Sequence, residues 1–332
     1  MSRADGTRSR PRNGARRSPA AVAAGRMFGT TLALGLLAAV SAGVALQRVL
    51  ESWHVGSASS SRTISIAGQR VSYPAANAAA VIVVILAALG LTMATATVCR
   101  LGREVLRDRR FRERLRSRAR SQVHGAWVLD DDRPQAFCAG LLRPRVYVST
   151  GALDLLDEHA LAAVLAHERH HARSRDPLRL ACGRALVAGM LFAPALRRLV
   201  QRQNALAEIG ADDAARAEGV ERAALASAML SFSEASGDDP VGVDPQRIDN
   251  LLGEPPEWRF PLLLCVLTTV VLVSMLALAV LAGRVASGSA TLAPPFLSGQ
   301  PCVVVLALVP AVALAAAARR VRDGRTRTPA GA

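Results

Sequence analysis

The residues most able to do chemistry lie in one pentapeptide, His167-Glu168-Arg169-His170-His171, which holds three of the chain's six histidines. Residues four apart share one face of a helix, so the imidazoles of His167 and His171 can converge on one metal ion. His170 is a competing partner for His167, but the position of Glu168 favours His171. This H-E-x-x-H pattern predicts a zinc site with Glu168 as the general base.

The residues around the pentapeptide predict the helix that must carry it. Leu161 and Leu165 recur at helical spacing, Asp157 is suited to cap the start, and Asp176-Pro177 should end the helix. Zinc on such a helix lowers the pKa of water towards 7, and the neighbouring carboxylate removes its proton as the water attacks a carbonyl. The pattern therefore predicts hydrolysis of a carbonyl compound.

A third ligand is expected on a later helix. Asn204, Glu208 and Asp212 follow one another at steps of four residues and hence lie on one helical face. Glu208 would complete a His₂Glu site with one position open for water, and Asp212 could accept the ring N–H of a ligand histidine. The alternative is an ordinary charged helix face.

The run A-V-L-A-H-E-R-H-H, the following R-D-P and the later E-I-G-A-D resemble the membrane metallopeptidases of the beta-lactam-sensor type. They are also similar to the heat-shock membrane protease and the CAAX prenyl protease. The resemblance implies that zinc is bound by His167, His171 and Glu208, with Glu168 as the base and Asp212 supporting a ligand. It covers roughly residues 130–255.

Other parts of this region resemble the same families less specifically. Asn204 stands where relatives can carry a substrate-contacting asparagine. Residues 136–149 resemble a segment that ends in a strand, and Val146 and Val148 alternate with Tyr147 as a strand requires. At a sheet edge this strand could hold an extended substrate peptide, and the alternative is a core strand. Residues 246–252 resemble the R-I-x-x-L element near the end of these domains.

The chain also departs from these families. The heat-shock type places a long membrane hairpin between the metal helix and the third ligand, whereas here the uncharged run 185–196 is short and predicts a buried or interfacial helix. The beta-lactam sensors acylate a serine in an S-x-x-K motif. That motif cannot occur in a chain without lysine, so covalent antibiotic sensing by this polypeptide is excluded.

Composition favours a membrane protein. Of the 332 residues 51% are hydrophobic but only 4% aromatic, and Ala, Leu and Val come in blocks. Four blocks are long enough to cross a bilayer, at 27–47, 71–99, 260–283 and 302–318. The first could be a cleaved signal peptide, but its length favours a retained anchor. The five cysteines form no C-x-x-C pair, which argues against a disulfide framework.

The arginines predict the orientation. All 41 basic residues are arginine, and they concentrate in the tails 1–26 and 319–332 and just after residue 99. The loops 48–70 and 284–301 hold few, so the positive-inside rule places both termini and the 100–259 domain in the cytoplasm. The basic runs lie beside apolar blocks without interleaved aromatics, so no nucleic-acid partner is expected.

Together these features predict a mainly α membrane protein of the cell membrane, multi-pass, with four transmembrane helices flanking a cytoplasmic α+β zincin-like metallopeptidase domain. The predicted function is zinc-dependent endoproteolysis of a protein or peptide in regulation or quality control, and a transcriptional repressor is one candidate substrate. The alternative is a membrane signalling or scaffold protein whose peptidase fold binds zinc but turns over poorly.

Overall fold

The computed structural model describes residues 18–52, 61–66, 69–74, 78–190, 193–235, 245–254 and 259–289. The helices are α1 Pro19–Ser52, α2 Ala78–Arg118, α3 Thr150–Leu155, α4 Glu158–Ser174, α5 Asp176–Gly189, α6 Pro194–Ala217, α7 Arg222–Ala235, α8 Pro245–Leu252 and α9 Leu262–Ser289. The strands are β1 Ser61–Ile66, β2 Gln69–Pro74, β3 Ala119–Val123, β4 Ala126–Leu129, β5 Ala136–Ala139 and β6 Arg145–Ser149. The described part of the chain is therefore mostly helical.

Three of these helices are long and apolar enough to cross a membrane, namely α1, α2 and α9. The predicted spans 27–47 and 260–283 fall largely within α1 and α9. The predicted span 71–99 was placed too early, because residues up to Pro74 pair with β1 in an antiparallel hairpin and α2 begins only at Ala78. Pro74 favours an extended backbone at Tyr73, which agrees with the position of this residue in β2. The predicted span Cys302–Ala318 lies outside the described residues.

The chain divides into two compact units. The first comprises Met1–Thr30, Arg103–Gly183 and Arg198–Phe260, and the second comprises Thr31–Gly102, Arg184–Arg197 and Pro261–Ala332. The apolar parts of the three long helices belong to the second unit, and the H-E-x-x-H motif belongs to the first. Helix α2 is continuous from one unit into the other over 41 residues.

The second unit is held together by close helix packing. A Cβ added at Gly90 of α2 would lie 2.4 Å from the Cβ of Ala42 on α1, so only glycine permits this approach. The hydroxyl of Ser41 on α1 donates to the carbonyl of Leu272 on α9 at 3.3 Å. The run 185–196 is not a single short helix, because it forms the end of α5 and the start of α6 with residues 191–192 undescribed between them.

The first unit is built on a four-stranded sheet in the order β3-β4-β6-β5. Strands β4 and β6 are parallel, and the other neighbours are antiparallel. On one face Val148 packs with Leu165 of α4, and on the other face Tyr147 packs with Leu115 near the end of α2. The sheet is therefore covered on both faces, and the metal helix packs directly on it.

The proposed role of Val146 and Val148 at a sheet edge is wrong. Strand β6 lies between β4 and β5, and both residues are buried, with Val148 fully so. Its backbone groups already pair on both sides, so no peptide can add there. Within the described residues the edge nearest the metal helix is β5 instead.

Local sequence explains where α4 begins and ends. The carboxylate of Asp157 accepts from the backbone N–H of Ala160 at 2.7 Å, which confirms the predicted N-cap. The helix closes at Arg175, whose positive φ of 54° stops further helical bonding. Helix α5 then starts at Asp176 with Pro177 in its first turn, where a missing N–H costs nothing.

Candidate active site

The predicted ligand atoms meet in the first unit. Helix α4 presents His167 and His171 one turn apart, and α6 brings Glu208 to them. The Nε2 atoms of the two histidines lie 3.1 Å apart. Glu208 Oε2 lies 3.3 Å from His167 Nε2, and Glu208 Oε1 lies 3.5 Å from His171 Nε2. Three side chains from two helices thus surround one point as a triangle, in which Glu208 faces the two imidazoles with different oxygens.

This triangle fits a zinc ion. Tetrahedral zinc with bonds of about 2.0–2.1 Å holds its ligand atoms about 3.3 Å apart, and the nearest nitrogen and oxygen atoms of the three side chains lie 3.1–3.5 Å from one another. Two imidazoles and one carboxylate are also the donor set of hydrolytic zinc sites with one open position. Both the spacing and the chemistry of the donors therefore suit this metal.

Each histidine is oriented by a carboxylate on its other ring nitrogen. His167 Nδ1 donates to Asp212 Oδ1 at 2.8 Å, and His171 Nδ1 donates to Asp176 Oδ2 at 2.8 Å. A proton held on Nδ1 leaves the Nε2 lone pair directed at the centre of the triangle. Asp212 lies where the sequence placed it.

Asp176 was missed as a site residue and treated only as the end of the metal helix. The signal was present, because an acidic residue directly after the metal helix, five residues beyond His171, can reach back to a ligand histidine. His170 is not part of the triangle. Its Nε2 lies 3.2 Å from the hydroxyl of Ser174 instead.

The carboxylates dominate the electrostatics of the centre. Burial opposes a charged imidazole, but hydrogen bonds to Asp176 and Glu208 outweigh it and raise the pKa of His171 to about 10. Burial likewise opposes charge on His167, yet Asp212 and Glu208 raise its pKa. The pKa of Glu208 is lowered despite burial, because both histidines bond to it. The centre is thus built to hold positive charge.

Glu168 points into the same site from α4. Burial raises the pKa of its carboxyl group, His167 and His171 lower it, and Glu208 raises it further. The backbone of Cys138 on β5 also lowers this pKa. A carboxylate whose pKa moves towards neutrality is a better proton acceptor and donor at neutral pH.

A cavity opens beside these residues. Its volume is about 740 Å³ and it reaches His167, Glu168 and Glu208. One wall is apolar and comes mainly from α7, with Leu225, Met229 and Phe232, and from Val164 on α4. The residues before and along β5, from Arg133 to Phe137, form another side of it. The cavity therefore lies between an edge strand and an apolar helix face.

Arg247 on α8 is a further residue of the site that sequence reasoning missed. Its Nε and Nη2 donate to the two oxygens of Asp212 at 2.9 and 2.8 Å, and its Nη1 lies 3.2 Å from Glu208 Oε2. The only sequence feature that pointed to Arg247 was its position in the R-I-x-x-L element. Asn204, by contrast, is exposed on α6 and does not line the cavity.

Comparisons with known proteins agree with this geometry. Residues 106–237 match the family model Peptidase family M48. The protein named Protease HtpX homolog from Acidiphilium cryptum (strain JF-5) is 43% identical over 68 residues, which are 20% of this chain and 24% of that protein. The Protease HtpX homolog from Salinibacter ruber (strain DSM 13855 / M31) is 38% identical over 68 residues, covering 20% and 25%.

The chain spans about a quarter of the length of these curated relatives. The matches confirm the predicted relationship to membrane zinc metallopeptidases of the heat-shock protease group. The likeness to the beta-lactam-sensor subtype stays a prediction. The segment that matches the family model contains all three candidate ligands and Asp212, whereas Arg247 lies beyond it.

Proposed function

We propose that this chain is an integral-membrane, zinc-dependent endopeptidase. The observation that carries the proposal is the convergence of His167, His171 and Glu208, whose nearest ligand atoms lie 3.1–3.5 Å apart, with Glu168 beside them in a cavity. The matches to proteases support a hydrolase of this class. The residues would then have distinct roles, with His167, His171 and Glu208 holding the metal and Glu168 moving the proton.

Zinc bound by these three side chains supplies a Lewis acid that lowers the pKa of water and polarises a peptide carbonyl. Glu168 accepts the proton of the attacking water and delivers it to the departing amide nitrogen. The backbone of Cys138 lowers the pKa of Glu168 and so favours the carboxylate form that accepts a proton. Asp176 and Asp212 hold the imidazole rings in the orientation that the metal requires.

The backbone of β5 is suited to hold the substrate. Ser149 N donates to Gln135 O at 2.9 Å, so the odd-numbered residues of this segment face β6. In an antiparallel pair the intervening residues direct their N–H and C=O outward, which places those of Ala136 and Cys138 on the open edge. The backbone of Cys138 acts on the Glu168 carboxyl group, whose pKa it lowers. Ala136 therefore offers both backbone groups to an extended peptide.

The apolar wall of the cavity favours a substrate with an apolar side chain near the cleaved bond. Met229 and Phe232 are half-buried and line the same cavity as the residues of β5. A peptide stretched along β5 directs alternate side chains away from the strand plane, and one of these can enter the cavity. Unfolded or membrane-embedded segments expose such side chains, which suits regulatory or quality-control proteolysis.

Three helices long enough to cross a membrane support a multi-pass placement in the cell membrane, with the lipid bilayer as a structural partner. The distribution of arginines supports a cytoplasmic position for the termini and the peptidase domain. A cytoplasmic site suits protein or peptide substrates in that compartment, and a transcriptional repressor is one candidate among them.

The test compares the full-length protein with Glu168→Gln in detergent, using zinc content and digestion of a peptide library as the two readouts. We expect the variant to keep its zinc and to lose cleavage by at least about 100-fold, because general-base catalysis contributes that much or more. A wild-type protein that binds one zinc yet gives no Glu168-dependent products would establish the alternative, a signalling or scaffold protein. A protein that binds no zinc would refute both.

A further inference from the structure

Helix α8 contacts the candidate active site, although it lies beyond the segment that matches the peptidase family model. Helix α8 places Arg247, Asn250 and Leu251 on one face, because they are separated by three and four residues. Leu251 packs with Ala163 and Ala166 of α4. Asn250 Nδ2 donates to Asp213 Oδ1 on α6 at 3.3 Å. The helix is therefore docked on the two helices that carry the ligands.

Arg247 uses its whole guanidinium on the carboxylates of α6. It makes a bidentate pair with Asp212, which is fully buried, and its remaining Nη1 reaches Glu208. Asp212 in turn accepts from His167, and Glu208 approaches His167 from the other side. The contacts thus close a ring through Arg247, Asp212, His167 and Glu208.

The ring solves an electrostatic problem. Glu208 and Asp212 lie one helical turn apart, so their negative charges repel, and both are drawn towards the same imidazole. A planar guanidinium can satisfy two carboxylates at fixed angles, whereas an ammonium group cannot do so. The position of Arg247 therefore keeps Asp212 on Nδ1 of His167 and leaves Glu208 Oε1 and Oε2 facing the two Nε2 atoms.

We infer that Arg247 is a positioning residue for the metal centre, acting through Glu208 and Asp212, and that the centre is complete only when α8 is docked. This inference rests on the proposed function, since it concerns the same zinc site. Arg247 also lines the cavity, but its three guanidinium nitrogens already face Asp212 and Glu208, so the inference assigns it no contact with the substrate. It predicts that the affinity for zinc, and not the affinity for peptide, depends on this side chain.

The experiment measures zinc affinity by competition with a chromophoric chelator, using the full-length protein in detergent. We expect Arg247→Ala to weaken zinc binding about 10- to 100-fold, the usual effect of removing a group that orients a metal ligand. Arg247→Lys should fall between wild type and Arg247→Ala, because one ammonium can serve only one of the two carboxylates. In zinc-saturated protein the KM for a cleaved peptide should stay unchanged in both variants.

Asn250→Ala is the matched control. It removes a contact between α8 and α6 that does not touch the ring, while Leu251 and Arg247 still hold α8 in place, so its zinc affinity should equal that of wild type. If Arg247→Ala does not fold, Arg247→Lys decides the question, because it preserves the charge next to Asp212.

Wild-type zinc affinity in Arg247→Lys together with a raised KM would overturn the inference and make Arg247 a substrate-binding residue. Unchanged zinc affinity and unchanged KM would overturn it as well. The zinc measurement needs no substrate. A protein without Glu168-dependent cleavage would therefore refute the proposed function while leaving this comparison intact.

Discussion

The contact between His171 and Asp176 allows a quantitative test of how the ligand histidines are held. Asp176 Oδ2 accepts from His171 Nδ1 at 2.8 Å, and its other oxygen lies 3.4 Å from Arg179. Unlike Asp212, it has no bidentate arginine partner. Its removal therefore leaves no buried charge uncompensated, which makes Asp176 the cleaner position for substitution.

The size of the effect follows from the strength of that bond. A hydrogen bond to a charged group contributes about 1.5–3 kcal/mol, and a neutral one roughly half as much. Asp176→Asn keeps a neutral acceptor and should lose about 1 kcal/mol, or about fivefold in zinc affinity. Asp176→Ala removes the acceptor and should lose about 10- to 100-fold.

The assay is zinc competition against a chelator at fixed pH, with Asp157→Ala as the control. Loss of the Asp157 cap should destabilise α4 by about 1 kcal/mol while leaving the metal centre untouched. If Asp157→Ala weakens zinc binding as much as Asp176→Ala does, then the stability of α4, and not the orientation of the imidazole ring, controls zinc affinity. Wild-type affinity in Asp176→Ala would refute the role given to the carboxylate.

Two further predictions concern the edge strand and the ligand histidines. Ala136→Pro removes an N–H that points outward from β5, and it leaves the hydrogen bonds between β5 and β6 in place. We therefore expect kcat/KM for peptides to fall up to about tenfold while the zinc content stays unchanged. Unchanged kinetics would exclude β5 as the strand that binds the substrate. In metal-free protein the raised pKa of His171 increases the free energy of unfolding. This contribution is present in full below pH 6.5 and is lost as the pH rises towards 10. Thermal unfolding should therefore show a lower midpoint at pH 10 than at pH 7 without zinc, and a midpoint that does not fall would contradict the assigned contacts.

The sequence located the parts of the site that depend on spacing along a single helix. Two pairs of site residues are each one helical turn apart, namely His167 with His171 and Glu208 with Asp212. A regular helix is enough to place each pair on one face. The caps of α4 are equally local. These features could be predicted because every interaction that defines them spans a few residues.

The missed features depend on contacts between distant segments. Arg247 meets Asp212 across 35 residues of sequence, and nothing in its neighbours indicates which carboxylate it will find. The strand at Val146 and Val148 was predicted, but its place inside the sheet depends on pairing with β4 and β5. The alternation of a strand shows which side chains are buried and carries no information on how many neighbours the strand has.

The continuity of α2 has a practical consequence for anyone who wants the peptidase domain in water. At 41 residues this helix is about 60 Å long, and its last turns cover the sheet through Leu115. A soluble fragment that began at Ala119 would expose Tyr147 and Phe137 to solvent, and exposed apolar side chains of this kind promote aggregation. A fragment for crystallisation or screening should therefore retain the arginine-rich turns from Arg103 onward, because Leu115 near their end packs against the sheet.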